Sequence, residues 1–319
     1  MLIAAVLMLA SCRPAATYRR ATGSVWGTTY HITYRADRDL HDTILAEMRR
    51  VERSLSMFDP SSTVSRVNAT AEYGPIEVDS MFAEVFALSR QVSTASGGAF
   101  DPTVQPLVDL WGFGPSHIDE EEPPSLAAID SALATVGIAR CRIDGSDLYK
   151  AHPLTRFDFS AVAKGYGVDR VAAALRRCGA TDYMVEIGGE VAASGCNPHG
   201  RQWRIALEAP EAGSAPGSNP TDVLEISDGA VATSGNYRNY RELGDTIVAH
   251  TIDPVGGRPV YTGIAAATVE APTCALADAL ATACMVLPPD RALALADSLP
   301  GVRVRLVYRR DGAWHTDVR

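Results

Sequence analysis

Between Ala271 and Leu287 the chain carries one charged residue, Asp278, within a run of alanine, leucine, cysteine, methionine and valine. Helical spacing over Thr273–Leu287 puts Leu276, Leu280, Ala283 and Leu287 on the main core seam. Asp278 and Thr282 share the opposite side, one turn apart, together with Ala281 and Met285. A helix that is apolar nearly all round has to be buried, so the rest of the chain must wrap it in layers. A buried carboxylate without a partner is costly enough to neutralise itself. Asp278 therefore needs a cation or strong donors. A hard, oxygen-preferring ion such as Mg²⁺ would suit the Asp278–Thr282 pair. Backbone N–H groups, or an arginine from elsewhere, would satisfy the carboxylate too.

The remaining pattern predicts helices over Leu40–Leu55, Asp79–Thr94, Ser125–Val136, Val168–Cys178 and Asp290–Leu299. Strands are expected at Thr28–Tyr34, Tyr183–Ile187, Trp203–Glu208, Val223–Ile226, Ile247–Ile252, Ile264–Glu270 and Val302–Tyr308. The order is mixed and lacks a β-α-β rhythm. That favours an α+β fold, with mixed or antiparallel sheets and packed helices, over a doubly wound one. Glu120–Pro124 and Glu211–Thr221 read as surface loops. A formal net charge of −9 over 319 residues argues against nucleic-acid binding, which needs a basic face. An anionic ligand would need a local device. Lys150 and Lys164 are the only lysines.

At the N-terminus, Leu2–Leu9 is apolar but too short to span a bilayer, and Leu9-Ala10-Ser11-Cys12 follows in the form of a lipobox. No Lys or Arg precedes the run. We read residues 1–12 as a lipoprotein signal peptide with Cys12 lipidated, 13–22 as a polar tether and 23–319 as one catalytic domain. The expected location is outside the cytoplasm, on a bacterial membrane, facing the periplasm or cell exterior. The other five cysteines form no C-x-x-C pair and are expected as small core side chains.

Other segments are weaker taken singly. Phe157–Asp169 runs from a strand-like entry through small residues and Lys164 into a helix, which could bring amides and a cation to a phosphate. A helix start with a surface lysine reads the same way. His250, in His250-Thr251-Ile252-Asp253-Pro254, could act as a base near neutral pH or be structural. Gly97–Thr103, Gly188-Gly189 and Thr233–Arg238 could be turns and nothing more.

Their joint order adds what each lacks. Gly27-Thr28, Leu55–Phe58, G-A-F-D-P-T, A-K-G-Y, G-G-E, T-S-G-N-Y, H-T-I-D-P with its following Gly/Pro turn, and A-D-A-L-A-T occur in sequence. This set, from about Gly23 to the C-terminus, resembles the ApbE-type flavin transferases, the FAD:protein FMN transferases. The resemblance implies an ApbE-like α+β fold with an FAD cleft. It implies Mg²⁺ held by the Ala161 carbonyl, Asp278 and Thr282, so the helix ladder should begin after Ala161, nearer Lys164. It places flavin contacts at Trp26, Phe58, Ala99, Phe100, Asp101, Lys164 and Ile252, and the base at His250. Trp26 and Phe58 stand where the family usually has Met and often Tyr. The implied activity is Mg²⁺-dependent transfer of FMN from FAD to a Thr or Ser hydroxyl of an exported protein, through a phosphoester, releasing AMP. Acceptors would be respiratory-complex subunits. The rival activities are hydrolysis of FAD to FMN and AMP, and FAD binding by a lipoprotein without turnover.

Overall fold

Alternating burial defines the main sheet. In Thr28–Ala36, the side chains of Tyr30, Ile32, Tyr34 and Ala36 are buried, with more exposed residues between them. The computed structural model describes residues 15–114, 122–208, 220–235, 240–243, 246–311 and 313–319. The apolar N-terminal run and Cys12 lie outside these residues, as do 236–239 and nearly all of the loop expected at 211–221. Eight strands form the sheet: Thr17–Val25 (β1), Thr28–Ala36 (β2), Tyr183–Ile187 (β3), Glu190–Ser194 (β4), Gly229–Gly235 (β5), Ile264–Ala271 (β6), Arg303–Arg310 (β7) and Ala313–Val318 (β8). They lie in the order of the chain, each antiparallel to its neighbour.

Two hairpin turns stand side by side at one end of this sheet. Val25 pairs with Thr28 across Trp26-Gly27, and Ile187 pairs with Glu190 across Gly188-Gly189. Two-residue hairpins that follow the strand twist need φ > 0 at both central residues. Here φ is 50° and 75° in the first turn and 66° and 101° in the second. The Gly188 N–H donates to the Thr29 carbonyl at 3.0 Å, which joins the two tips.

Ser160–Arg177 (here called the entry helix) and Cys274–Val286 (the central helix) lie against one face of the sheet. The hairpin of Trp203–Glu208 and Pro220–Ile226 covers the other, with Trp203 and Ile226 packed on Ala193 and Val231. His41–Leu55 and Ser80–Ala95 pack outside the two inner helices. Phe82 meets the rings of Phe157 and Phe159 edge-on, with centroids 5.6 and 5.2 Å away, and those two rings stack where the chain enters Ser160–Arg177. That helix ends in a Schellman motif: Ala180 N–H donates to Leu175 and Gly179 N–H to Arg176.

The α+β reading with antiparallel sheet stands, and the structure corrects four details. Thr17–Thr22, expected as tether, is edge strand, because its backbone pairs with β2. The entry helix starts at Ser160 rather than Val168, its two internal glycines being tolerated in a packed helix. Thr63–Ala69 and Gln105–Leu110 form helices too short to show a period. On the central helix, Leu276 and Leu287 are only partly buried, whereas Ala277, Ala279 and Ala281 are fully enclosed. Small side chains let neighbouring elements approach on those sides. The central position of the helix is as expected. Cys141, Cys274 and Cys284 are buried, and Cys178 and Cys196 partly so; all five are free.

Asp169 ties the two inner helices together. Its carboxylate accepts from the Cys274 and Ala275 N–H groups at 2.9 Å each, at the first turn of the central helix. Burial pushes its carboxyl up to about 6, and those two amides oppose the shift. A raised acid binds its proton longer in the folded state, so its contribution falls as pH rises from about 4 to about 6. The stability of Asp169→Asn relative to wild type should therefore rise across that window, by at most about 1.4 kcal/mol per pH unit. Denaturant unfolding of both proteins between pH 4.5 and 7 tests this. A difference that stays flat would place the titration elsewhere.

Candidate functional site

The Asp278 carboxylate, 3% exposed, meets the entry helix at Gly165, whose N–H donates to Oδ2 at 2.9 Å. In an uninterrupted α-helix that N–H belongs to the carbonyl four residues back, which is Ala161. The central helix thus meets the entry helix at the donor that stands one turn after the Ala161 carbonyl. The resemblance implied a ladder beginning after Ala161; the helix begins before it, at Ser160. Gly165 makes the approach possible, because a Cβ there would lie 2.4 Å from the Cys274 carbonyl oxygen and 2.8 Å from Asp278 Cβ. Thr282 follows one turn on, its hydroxyl 3.3 Å from that of Ser234 near the end of β5. Asp278 Oδ1 has no hydrogen-bond partner among the described residues. A carboxylate oxygen, a hydroxyl and a carbonyl form an all-oxygen donor set that fits Mg²⁺, a cation that takes its remaining ligands from water and substrate phosphate.

Beside this set lies a second pair. The Lys164 ammonium donates to Glu190 Oε1, and Glu190 is 3% exposed as the first residue of β4. Burial works against the lysine charge, but Asp278 and then Glu190 outweigh it and hold the ammonium above its ordinary value. Burial likewise pushes the Glu190 carboxyl up to about 7; Asp278 adds to the shift and Lys164 opposes it. Burial raises Asp278 too, against the pull of Lys164 and the Gly165 N–H. The free question about Asp278 is therefore answered in part: a backbone donor and a lysine attend it, and no arginine does so among the described residues.

The expected flavin positions divide by what their side chains do. Phe58 is 81% exposed. Trp26 packs against the entry helix, where a Cβ on Gly167 would sit 2.2 Å from its Cη2. Its Nε1 is buried without a partner among the described residues. Ala99 is buried, and Phe100 and Ile252 are buried in core clusters. Asp101 is buried, and its carboxylate accepts from the Thr103 N–H and hydroxyl and the Ile138 N–H. That side chain holds a turn. Residues 97–103 still reach the site, since the Pro102 carbonyl takes the Asp158 N–H at 2.6 Å, just ahead of the entry helix. The histidine segment joins the same region: Val255 lies over Gly98, and the Gly257 carbonyl accepts from Trp111 Nε1 at 2.8 Å. His250 sits edge-on to Phe113, with ring centroids 6.4 Å apart.

Glu190 and Asp169 were visible in G-G-E and in Phe157–Asp169 but carried no assignment. Only the pairing of distant elements gives them partners. Gly→Ala inside a helix ordinarily stabilises by up to about 1 kcal/mol. At Gly165 the sign should reverse, to a loss of about 1–3 kcal/mol, because the new methyl meets backbone. Denaturant unfolding of Gly165→Ala checks this; a stability equal to or above wild type would mean the helices are not in contact there.

A family model described as the ApbE family matches residues 26–306. The FAD:protein FMN transferase of Haemophilus influenzae is 36% identical, with 98% of this chain and 93% of the relative covered. That of Vibrio cholerae is 37% identical over 97% of this chain and 93% of its own length. Among solved structures, the flavin transferase ApbE from Vibrio cholerae superposes with a TM-score of 0.85 at 33% identity, covering 95% of this chain and 97% of that one. The apo flavinyl transferase ApbE of Pseudomonas stutzeri gives 0.85 at 36% identity, covering 95% of each. The model match and the near full-length relatives agree with the geometry, and the chain belongs to the ApbE family.

Proposed function

We propose that this enzyme transfers FMN from FAD to a Thr or Ser hydroxyl of an exported protein, releasing AMP, with Mg²⁺ bound by Asp278, Thr282 and the Ala161 carbonyl. The observation that carries the reading is the hydrogen bond from the Gly165 N–H to Asp278, which joins the helix bearing Asp278 and Thr282 to the turn that begins at Ala161. Bound there, Mg²⁺ would neutralise charge on the pyrophosphate oxygens during phosphoryl transfer. Lys164 supplies a fixed positive charge beside the same oxygens. The acceptor hydroxyl oxygen forms a bond to the FMN-side phosphorus, and the bond from that phosphorus to the AMP oxygen breaks. His250 takes the hydroxyl proton as the new bond forms. Trp26 and Phe58 offer the aromatic surface for a ring.

Incubating the protein with FAD, Mg²⁺ and an exported acceptor domain should yield an acceptor heavier by one FMN and an equal amount of AMP. AMP without acceptor modification would replace transfer by hydrolysis, and neither product would leave a binding protein. In the same assay, Asp278→Asn should lose transfer at wild-type Mg²⁺ concentrations. Its melting temperature without metal should hold or rise, and the increment from Mg²⁺ should vanish. His250→Ala should keep FAD binding while transfer drops about 100-fold or more. Equal losses in binding and rate would make His250 structural.

The lipobox motivates a second proposal, that Cys12 carries a lipid and holds the enzyme on the outer side of a bacterial membrane. Cys12→Ala should move the protein from the membrane to the soluble exported fraction. Retention on membranes through detergent-free washing would refute the anchor.

A further inference from the structure

Lys164 has two carboxylates to choose between and touches one. Asp278 and Glu190 both attract it, and the ion pair it forms is with Glu190. The ammonium leans toward the sheet, away from Asp278. The reason lies in how Glu190 is held. It follows the Gly188-Gly189 turn, which a Cβ at Gly188 would drive to 2.9 Å from Thr28 Cγ2, so the start of β4 is fixed against β2. Glu190 is buried, and its Oε2 has no hydrogen-bond partner among the described residues. A buried carboxylate with one empty oxygen is expensive, and Lys164 is the cation that keeps it charged. Neither turn nor strand needs an acid at this position for packing.

We propose that Glu190 is a positioning residue for the metal centre: it holds the Lys164 ammonium off Asp278, so that Asp278 stays open to a divalent cation. Without the Glu190 charge, Lys164 would close onto Asp278 and compete with the metal for the same carboxylate. With both carboxylates ionised, the buried group of two carboxylates and one lysine carries a net charge of −1, which favours a cation. With glutamine at 190 the same group is neutral and self-paired. Glu190 thus acts on the metal through Lys164, and this rests on the reading of Asp278 as a metal ligand.

The test is a double-substitution cycle read by Mg²⁺ binding to the full-length protein, using calorimetry without FAD. Glu190→Gln should weaken Mg²⁺ about tenfold or more, in the range of substitutions behind metal ligands. In a Lys164→Met background, the same Glu190→Gln change should have little further effect, because the competing ammonium is gone. Glu190→Asp, which keeps the charge, should restore part of the affinity. An equal loss in both backgrounds would mean that Glu190 acts on the metal directly or through folding, and would overturn the proposal. So would unchanged affinity in Glu190→Gln. Thermal unfolding without metal identifies any variant that fails to fold, and Glu190→Asp then carries the comparison. If wild type itself binds no Mg²⁺, it is the metal reading of Asp278 that fails.

Discussion

The contact on which the site depends is the approach of two helices at Gly165. There a backbone amide of one helix is close enough to donate to a side chain of the other. Any larger residue would hold the helices apart through the Cys274 carbonyl, which cannot yield as a side chain would. The same contact buries Asp278 and gives it a donor one turn after Ala161. Asp169 reinforces it one turn later by capping the central helix. Packing and polar chemistry are thus set by one small residue. That explains how a helix with so little amphipathic pattern is fixed in register.

The electrostatics follow from this burial. An acidic protein that handles a pyrophosphate needs positive charge in one place. The fold supplies Lys164, one of two lysines, but surrounds it with Asp278 and Glu190. Two carboxylates thus face one lysine in the same buried place. Low dielectric makes each of these charges count for more than it would at the surface, and it makes their exact pairing matter. The eight-stranded sheet brings Glu190 to this point through a two-glycine turn with both residues at positive φ, at the sheet end where Trp26 also lies.

Trp26 shows a different compromise. A tryptophan at φ 50° stores backbone strain on the order of 1–2 kcal/mol. What it gains is an indole packed on Gly167 of the entry helix. The side chains of Phe100, Asp101 and Ile252 are by contrast committed to the core or to a turn. Part of the expected flavin surface is therefore built by side chains that shape backbone rather than face a ligand.

Sequence by itself determined the buried central helix, the Asp278–Thr282 pair on one side of it, the α+β class and the family. These are local: period, charge content and motif order are written along the chain and need no partner to be read. It did not determine where the entry helix starts. Its pattern read as a helix from Val168, whereas packing against the central helix accompanies helical turns from Ser160 onward. Nor did it show that Thr17–Thr22 is strand, since an edge strand with polar residues earns its place only by pairing with β2. Tertiary structure alone decided which carboxylate Lys164 meets and which amide Asp278 takes. Gly165 and Asp278 are 113 residues apart, and Lys164 and Glu190 come from a helix and a strand of different layers. Hydrogen bonds of a few ångströms between such positions depend on how closely helices and sheet approach. That distance is set by the volumes of all the side chains between them, and no local pattern records it.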